Sequence, residues 1–199
     1  MDECIVNNKF GSGFGKVQTE DIILDESDEM TKYLASCPQP VKMENFFNIP
    51  VMNILWQVVG GKKFKYDDDK LVHFVQLIQG LFASGFKLSY LPLLRWLAPE
   101  WSGYNLQKKL LAEMKKIIQE IIDEHRDTFD RDNPKDFIDI YLKELGDQEE
   151  GEPGSSFSLL QLTGICADMF EAGGETVGST LNWAVLYLAH HPQIQVSFY

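Results

Sequence analysis

The amino-acid sequence predicts an all-α fold, and three observations carry that expectation. Apolar residues recur at intervals of three and four through most of the chain, no run shows the two-residue alternation of a half-buried strand, and Gly/Pro clusters separate segments of helix length. At 199 residues with 44% hydrophobic content, the chain can bury a sizeable core, and it reads as one domain or part of a larger one.

Near the N-terminus, "FGSGFGK" (10–16) matches neither GxGxxG nor GxxxxGK[ST], so a flexible bend is expected rather than a phosphate cradle. "TEDIILDESDEMTKYLA" opens with a hydroxyl and acidic residues and places Ile22, Ile23, Met30, Tyr33 and Leu34 at helical intervals. It predicts a surface helix from Thr19, closed by Pro38 and Pro40. "MENFFNIPVMNILWQVVGG" (43–61) is apolar nearly all round and predicts a core helix, with Pro50 near its start and Gly60-Gly61 as its stop. The charged "KKFKYDDDK" lacks the ligand spacing of a calcium loop and reads as a solvated turn that biases the next helix start.

A helix is expected over 70–86, followed by a partly exposed aromatic loop in "FKLSYLPLLRWLAPEWSGY". "NLQKKLLAEMKKIIQEIIDEHRDTF" aligns Leu106, Leu110, Met114, Ile117, Ile118, Ile121 and Ile122 on one face, which predicts a long amphipathic helix. "NPKDFIDIYLKEL" begins a shorter helix, and polar "GDQEEGEPGSSFS" predicts a mobile loop over 146–156. The last helix is expected from Ser158 to about residue 190, and at ~1.5 Å per residue it extends on the order of 50 Å.

The formal charge of -12 opposes binding to nucleic acid, because no basic stripe is available to displace counterions from phosphates. Cys4, Cys37 and Cys166 are widely spaced, with no CxxC pair, and read as reduced structural thiols; no metal site is expected. The start lacks the basic and apolar parts of a signal peptide, and no stretch reaches the ~20 apolar residues that span a bilayer. His73 and His125 are expected in solvated or packed roles, and His190-His191 at a helix end beside its dipole.

The last helix contains "FEAGGETVGSTLNWAVLYLAHHPQIQ" (170–195), in which Gly173 and Gly174 each weaken the helix by about 1 kcal/mol relative to alanine. Close helix packing explains such a pair, but Glu175 and Thr176 beside it suggest more. A threonine hydroxyl at 176 can capture the Ala172 carbonyl and open the helix locally, leaving a groove with a proton donor.

"AGGETVGSTL" resembles the central-helix signature [AG]Gx[DE]T[TS] of the cytochrome P450 family, the haem-thiolate monooxygenases, with Ala172, Gly173, Glu175 and Thr176 at its specified positions. Val177 stands where a second threonine or serine is usual. The resemblance continues, in family order, through "FGSGFGKVQTEDI", "GGKKFKYDDDKL", "NPKDFIDIYLKEL" and "LNWAVLYLAHHPQIQ", and is strongest to the microsomal branch. It implies that residues 1–199 are one partial domain, the helical half of such an enzyme.

The resemblance further implies haem as cofactor, contacted by Ala172, Gly173 and Thr176, with Thr176 hydrogen-bonding dioxygen and Glu175 relaying protons as the catalytic pair. Phe170, Ala172 and Gly173 would wall the substrate pocket, and residues 90–101 would form a lipophilic entrance touching a membrane. The implied partners are a lipophilic small molecule of steroid, lipid, hormone or xenobiotic type, dioxygen, and an NADPH-dependent reductase as electron donor. The implied location is the cytoplasmic face of the endoplasmic reticulum membrane; with no anchor in these residues, a cytoplasmic chain is the counterpart expectation.

The family's ExxR pair and its haem-ligating cysteine loop are not found in these 199 residues, so the chain alone is expected to be inactive and not to hold haem as a thiolate complex. The competing expectation is a non-enzymatic helical module that binds a lipophilic ligand or a protein.

Overall fold

The computed structural model describes residues 14–43, 45–90, 93–147 and 157–196, and within them the periodic segments form nine helices and no strand. They are α1 (Phe14–Ser36), α2 (Asn48–Gly60), α3 (Asp69–Tyr90), α4 (Leu94–Leu97), α5 (Pro99–Ser102), α6 (Tyr104–Thr128), α7 (Phe137–Asp147), α8 (Leu159–His190) and α9 (Pro192–Gln195). Cys4, the start of the expected glycine bend and residues 148–156 of the expected mobile loop lie outside the described residues.

The predicted core helix is the hub. α2 packs against α1, α3, α7 and α8, while α3 and α6 pack on each other and on α8. Its sequence suits this position, since Met52, Trp56 and Val59 are almost wholly buried and no face of it carries a charge. Trp56, Phe74 and Phe170 form an aromatic centre, with Trp56 ring centroids 4.9 Å from Phe74 and 4.2 Å from Phe170. The α6 stripe supplies Met114, Ile118 and Ile122 to the same core.

Local chemistry places the ends. Gly61 adopts φ 58°, and the amides of Gly61 and Lys62 close α2 on the carbonyls of Gln57 and Trp56. Asp68 accepts from the amides of Lys70 and Leu71 and caps α3, so one of the three aspartates serves the helix start as expected. The turn before it is not merely solvated: the Phe64 amide donates to Asn53 Oδ1, and Asn53 Nδ2 donates to the Phe64 carbonyl and to the buried Glu26 carboxylate. Ser158 Oγ accepts from the Gln161 amide and starts α8 where the sequence predicts.

Several boundaries move. α1 begins five residues before Thr19, α3 continues to Tyr90, and α7 takes in Gly146 and Asp147 from the segment expected as loop. Turn-forming residues bias a chain without forbidding a helix whose neighbours pack well. Leu106, counted with the buried face of α6, is 52% exposed because that face extends past the helices that cover it. The aromatic segment after α3 is exposed as expected, with Leu93, Trp96, Leu97 and Trp101 all facing outward. No helix among the described residues is long and apolar enough to cross a membrane.

Candidate functional site

The glycine-containing stretch of α8 lies where that helix crosses α2, the two running antiparallel. A Cβ placed on Gly173 would stand 3.1 Å from Leu55 Cδ1, one on Gly174 2.4 Å from Met52 Cε, and one on Gly178 2.2 Å from Asn48 Oδ1. Each glycine is thus a hole that receives a named side chain of α2, and close helix packing accounts for all three.

Thr176 lies on another face of α8. Its side chain is exposed, and Oγ1 donates to the Ala172 carbonyl at 2.6 Å, the capture that the sequence predicts. The predicted local opening is absent: α8 is continuous from Leu159 to His190, and Thr180 repeats the same bond to the Thr176 carbonyl at 2.8 Å. A carbonyl has two lone pairs, so it can take a hydroxyl without giving up the helix ladder.

Glu175 points elsewhere. Asn48 Nδ2 donates to its Oε2 at 2.9 Å, and Ser179 Oγ donates to its Oε1 at 3.4 Å, which holds the half-buried carboxylate against α2. Consecutive helix residues diverge by about 100°, so Glu175 and Thr176 are neighbours in sequence whose side chains occupy different faces. The structure brings Ala172 and Thr176 together on the exposed face and joins Gly173 to Leu55, but it does not bring the acid to the hydroxyl.

Phe170 departs most from its expected place. It is wholly buried, tilted against Trp56 at 4.2 Å and edge-on to Phe74 at 5.1 Å, and presents no surface from which to wall a pocket. One turn separates it from Gly173, and this turn carries α8 from the aromatic core to the crossing.

Two features were not legible as sites. Asn48, only 2% exposed, is one of two buried asparagines in a helix without charge, and its burial as a polar side chain is the signal that could have found it. Its Oδ1 and that of Asn182 are buried with no hydrogen-bond partner among the described residues. The second is His125, whose Nε2 meets Asp136 Oδ2 at 2.9 Å while Nδ1 meets the Ile121 carbonyl at 2.8 Å. Both nitrogens face acceptors, which only the imidazolium can satisfy, and the Asp136 bond raises the His125 pKa above its ordinary value despite burial.

Asp139 lies close enough to His125 and Asp136 for the three to surround an ion. The carboxylates have other employment: Asp136 Oδ1 accepts from the Asp139 amide and Asp139 Oδ2 from the Lys135 amide, a reciprocal cap of α7. His73, expected to be solvated or packed, pairs across the α3–α6 surface with Glu113 at 3.0 Å. Cys166 is wholly buried, and burial pushes its thiol up to about 12, which makes it an inert core thiol on α8.

The sequence profile described as "Cytochrome P450" matches residues 4–199. The chain belongs to the cytochrome P450 family. It is 30% identical over 193 residues to cytochrome P450 2L1 of Panulirus argus, covering 92% of this chain and 39% of that protein. It is 30% identical over 176 residues to the farnesoate epoxidase of Bombyx mori (86% and 35%) and 31% identical over 191 residues to human cytochrome P450 2J2 (92% and 37%). The chain therefore spans between 35% and 39% of the length of these relatives. The P450 family uses haem iron, and the stretch that resembles its central-helix signature, with Ala172, Gly173, Glu175 and Thr176, lies in α8. The all-α architecture of this segment matches the helical region of that fold.

Proposed function

We propose that this chain is the central helical region of a microsomal monooxygenase that inserts one atom of dioxygen into a lipophilic substrate, with electrons supplied by an NADPH-dependent reductase. The observation that carries the reading is the Thr176 hydroxyl, anchored to the Ala172 carbonyl on an exposed face of α8 within the family signature. Ala172, Thr176, Val177 and Thr180 make that face small and uncharged, which suits close approach of a flat macrocycle. In this reading Ala172, Gly173 and Thr176 lie against haem, which supplies the oxygen-activating iron when bound.

Thr176 then holds a proton at Oγ1 beside the oxygen site, and Glu175 is the acid that replenishes it. Ala172 and Gly173 form the substrate wall, and Phe170 enters only as the ring behind it, transmitting its position through the Trp56–Phe74 core. Residues 93–101, with exposed Trp96 and Leu97 beside Arg95, suit contact with a lipid headgroup region on the cytoplasmic face of the endoplasmic reticulum. The farnesoate epoxidase relative acts, by its name, on a lipophilic acid, which agrees with a lipophilic substrate here.

Within the 199 residues, buried Cys166 does not qualify as the thiolate ligand, and the isolated chain is expected to give no thiolate-type Soret band as its ferrous carbon-monoxide complex. For the reaction itself, Thr176→Ala in a haem-loaded full-length protein carrying this segment is expected to lower the fraction of consumed dioxygen that appears in product by about tenfold or more. Unchanged coupling would overturn the assignment of Thr176.

A further inference from the structure

We propose that the Asn48 amide is a positioning group that holds Glu175 in both its ionised and its protonated form, turning over as the acid changes state. The proposal deepens the reading of Glu175 as a proton carrier and rests on it for its biological purpose, while its geometry stands on the α2–α8 crossing alone. A primary amide offers a donor on one side and an acceptor on the other. In the observed arrangement Nδ2 donates to Glu175 Oε2 at 2.9 Å, which suits a carboxylate, an acceptor with no proton to give.

The other side of the amide supplies the second half of the device. Asn48 Oδ1 is shielded from solvent and has no donor among the described residues, an unusual state for a carbonyl oxygen in a residue only 2% exposed. A protonated Glu175 is the donor it lacks: turned half a revolution about its Cβ–Cγ bond, the nearly symmetric amide presents Oδ1 to the carboxyl O–H. Gly178 leaves the room, because a Cβ there would stand 2.2 Å from Oδ1 and press on the amide.

The only bond made or broken in this step is the O–H bond of Glu175: one proton arrives at or leaves Oε2, and Asn48 neither gains nor loses one. The surroundings leave Asn48 as the group that answers the charge: α2 carries no ionisable side chain, Ser179 donates weakly to Oε1, and Glu171 lies one turn earlier on α8. Asn182, one turn beyond Gly178, adds a second shielded acceptor rather than a charge.

The test compares thermal melts of the folded 199-residue chain at each pH between 5 and 8, with every variant read as its difference from wild type. Glu175→Gln mimics the protonated acid with a group that can both donate and accept, and it is expected to melt within about 2 °C of wild type. Asn48→Asp keeps the shape and removes the donor. Its deficit is expected to be about 4–8 °C at pH 8 and to shrink toward pH 5, as the two carboxyl groups come to share a proton. Asn48→Leu holds neither form and is expected to show a deficit that does not vary with pH.

An Asn48→Asp deficit equal at pH 5 and pH 8, or a Glu175→Gln melt as low as that of Asn48→Leu, would overturn the proposal. If Asn48→Asp does not fold, the side-chain amide protons of Asn48 in a nitrogen-15-labelled chain decide. Slow exchange with solvent in both wild type and Glu175→Gln supports the latch, and fast exchange in Glu175→Gln sinks it. These measurements contain no haem, so a failed latch leaves the Thr176 coupling result untouched, and a failed coupling result leaves the latch.

Discussion

Between residues 172 and 178, two faces of α8 obey different rules. On the face toward α2, Gly174 and Gly178 receive Met52 and Asn48, and the residue type is dictated by the absence of space for a Cβ. On the exposed face, Ala172 and Thr176 have room to vary, and nothing in the packing calls for a hydroxyl at 176. The contrast separates packing from chemistry on one helix. A short motif can mix residues chosen to let two helices approach with residues chosen for a proton, and only their directions around the helix distinguish them.

The comparison breaks most visibly at Gly178. Gly178→Ala is expected to destabilise the chain by about 1–3 kcal/mol despite alanine's better helix propensity, because the new methyl collides with an amide hydrogen-bonded on its other side. Denaturant unfolding measures it, and an unchanged midpoint would show that the α2–α8 crossing is looser than described. Gly164, on the same helix but with nothing among the described residues within 4 Å of a Cβ, gives the opposite sign: Gly164→Ala is expected to stabilise by about 0.5–1 kcal/mol. On the outward face, Thr176→Ala is expected to change stability by no more than about 0.5 kcal/mol in either direction, while the proposed role expects it to lower coupling in the haem-loaded protein by about tenfold or more.

A pH titration sharpens the same contrast at a second buried carboxylate, Asp136, whose partner is ionisable where Asn48 is not. The His125 pKa is raised in the folded chain by its bond to Asp136. Its contribution to stability is therefore complete below the unfolded value of about 6.5 and is lost as pH rises through the higher folded value. The melting temperature of wild type is expected to fall over that window, and His125→Ala should flatten this part of the profile. An identical slope in the variant would place the titrating group elsewhere.

Most helices were legible because an amphipathic period needs only local residues to be read. The stripe from Met114 to Ile122, the Ser158 cap and the Gly60-Gly61 stop all encode their own geometry. The site was legible in part. The spacing that lets Thr176 reach the Ala172 carbonyl is a property of any helix, and the family signature marked its neighbours. The bond from Asn48 to Glu175 joins residues 127 positions apart, and no local pattern could announce it. Phe170 was misread for the same reason, because a phenylalanine beside a motif looks alike in sequence whether it faces a ligand or, as here, two other rings.

The sequence by itself determined the all-α class, the long central helix and the presence of the P450 signature, because helical periodicity, caps and a contiguous motif depend on near neighbours. Only the tertiary structure decided that the glycines serve α2, that Glu175 and Thr176 part company around the helix, and that His125 is held by Asp136. Those outcomes depend on which face of one helix meets which face of another. Packing of distant segments sets that relation, and no segment encodes it alone.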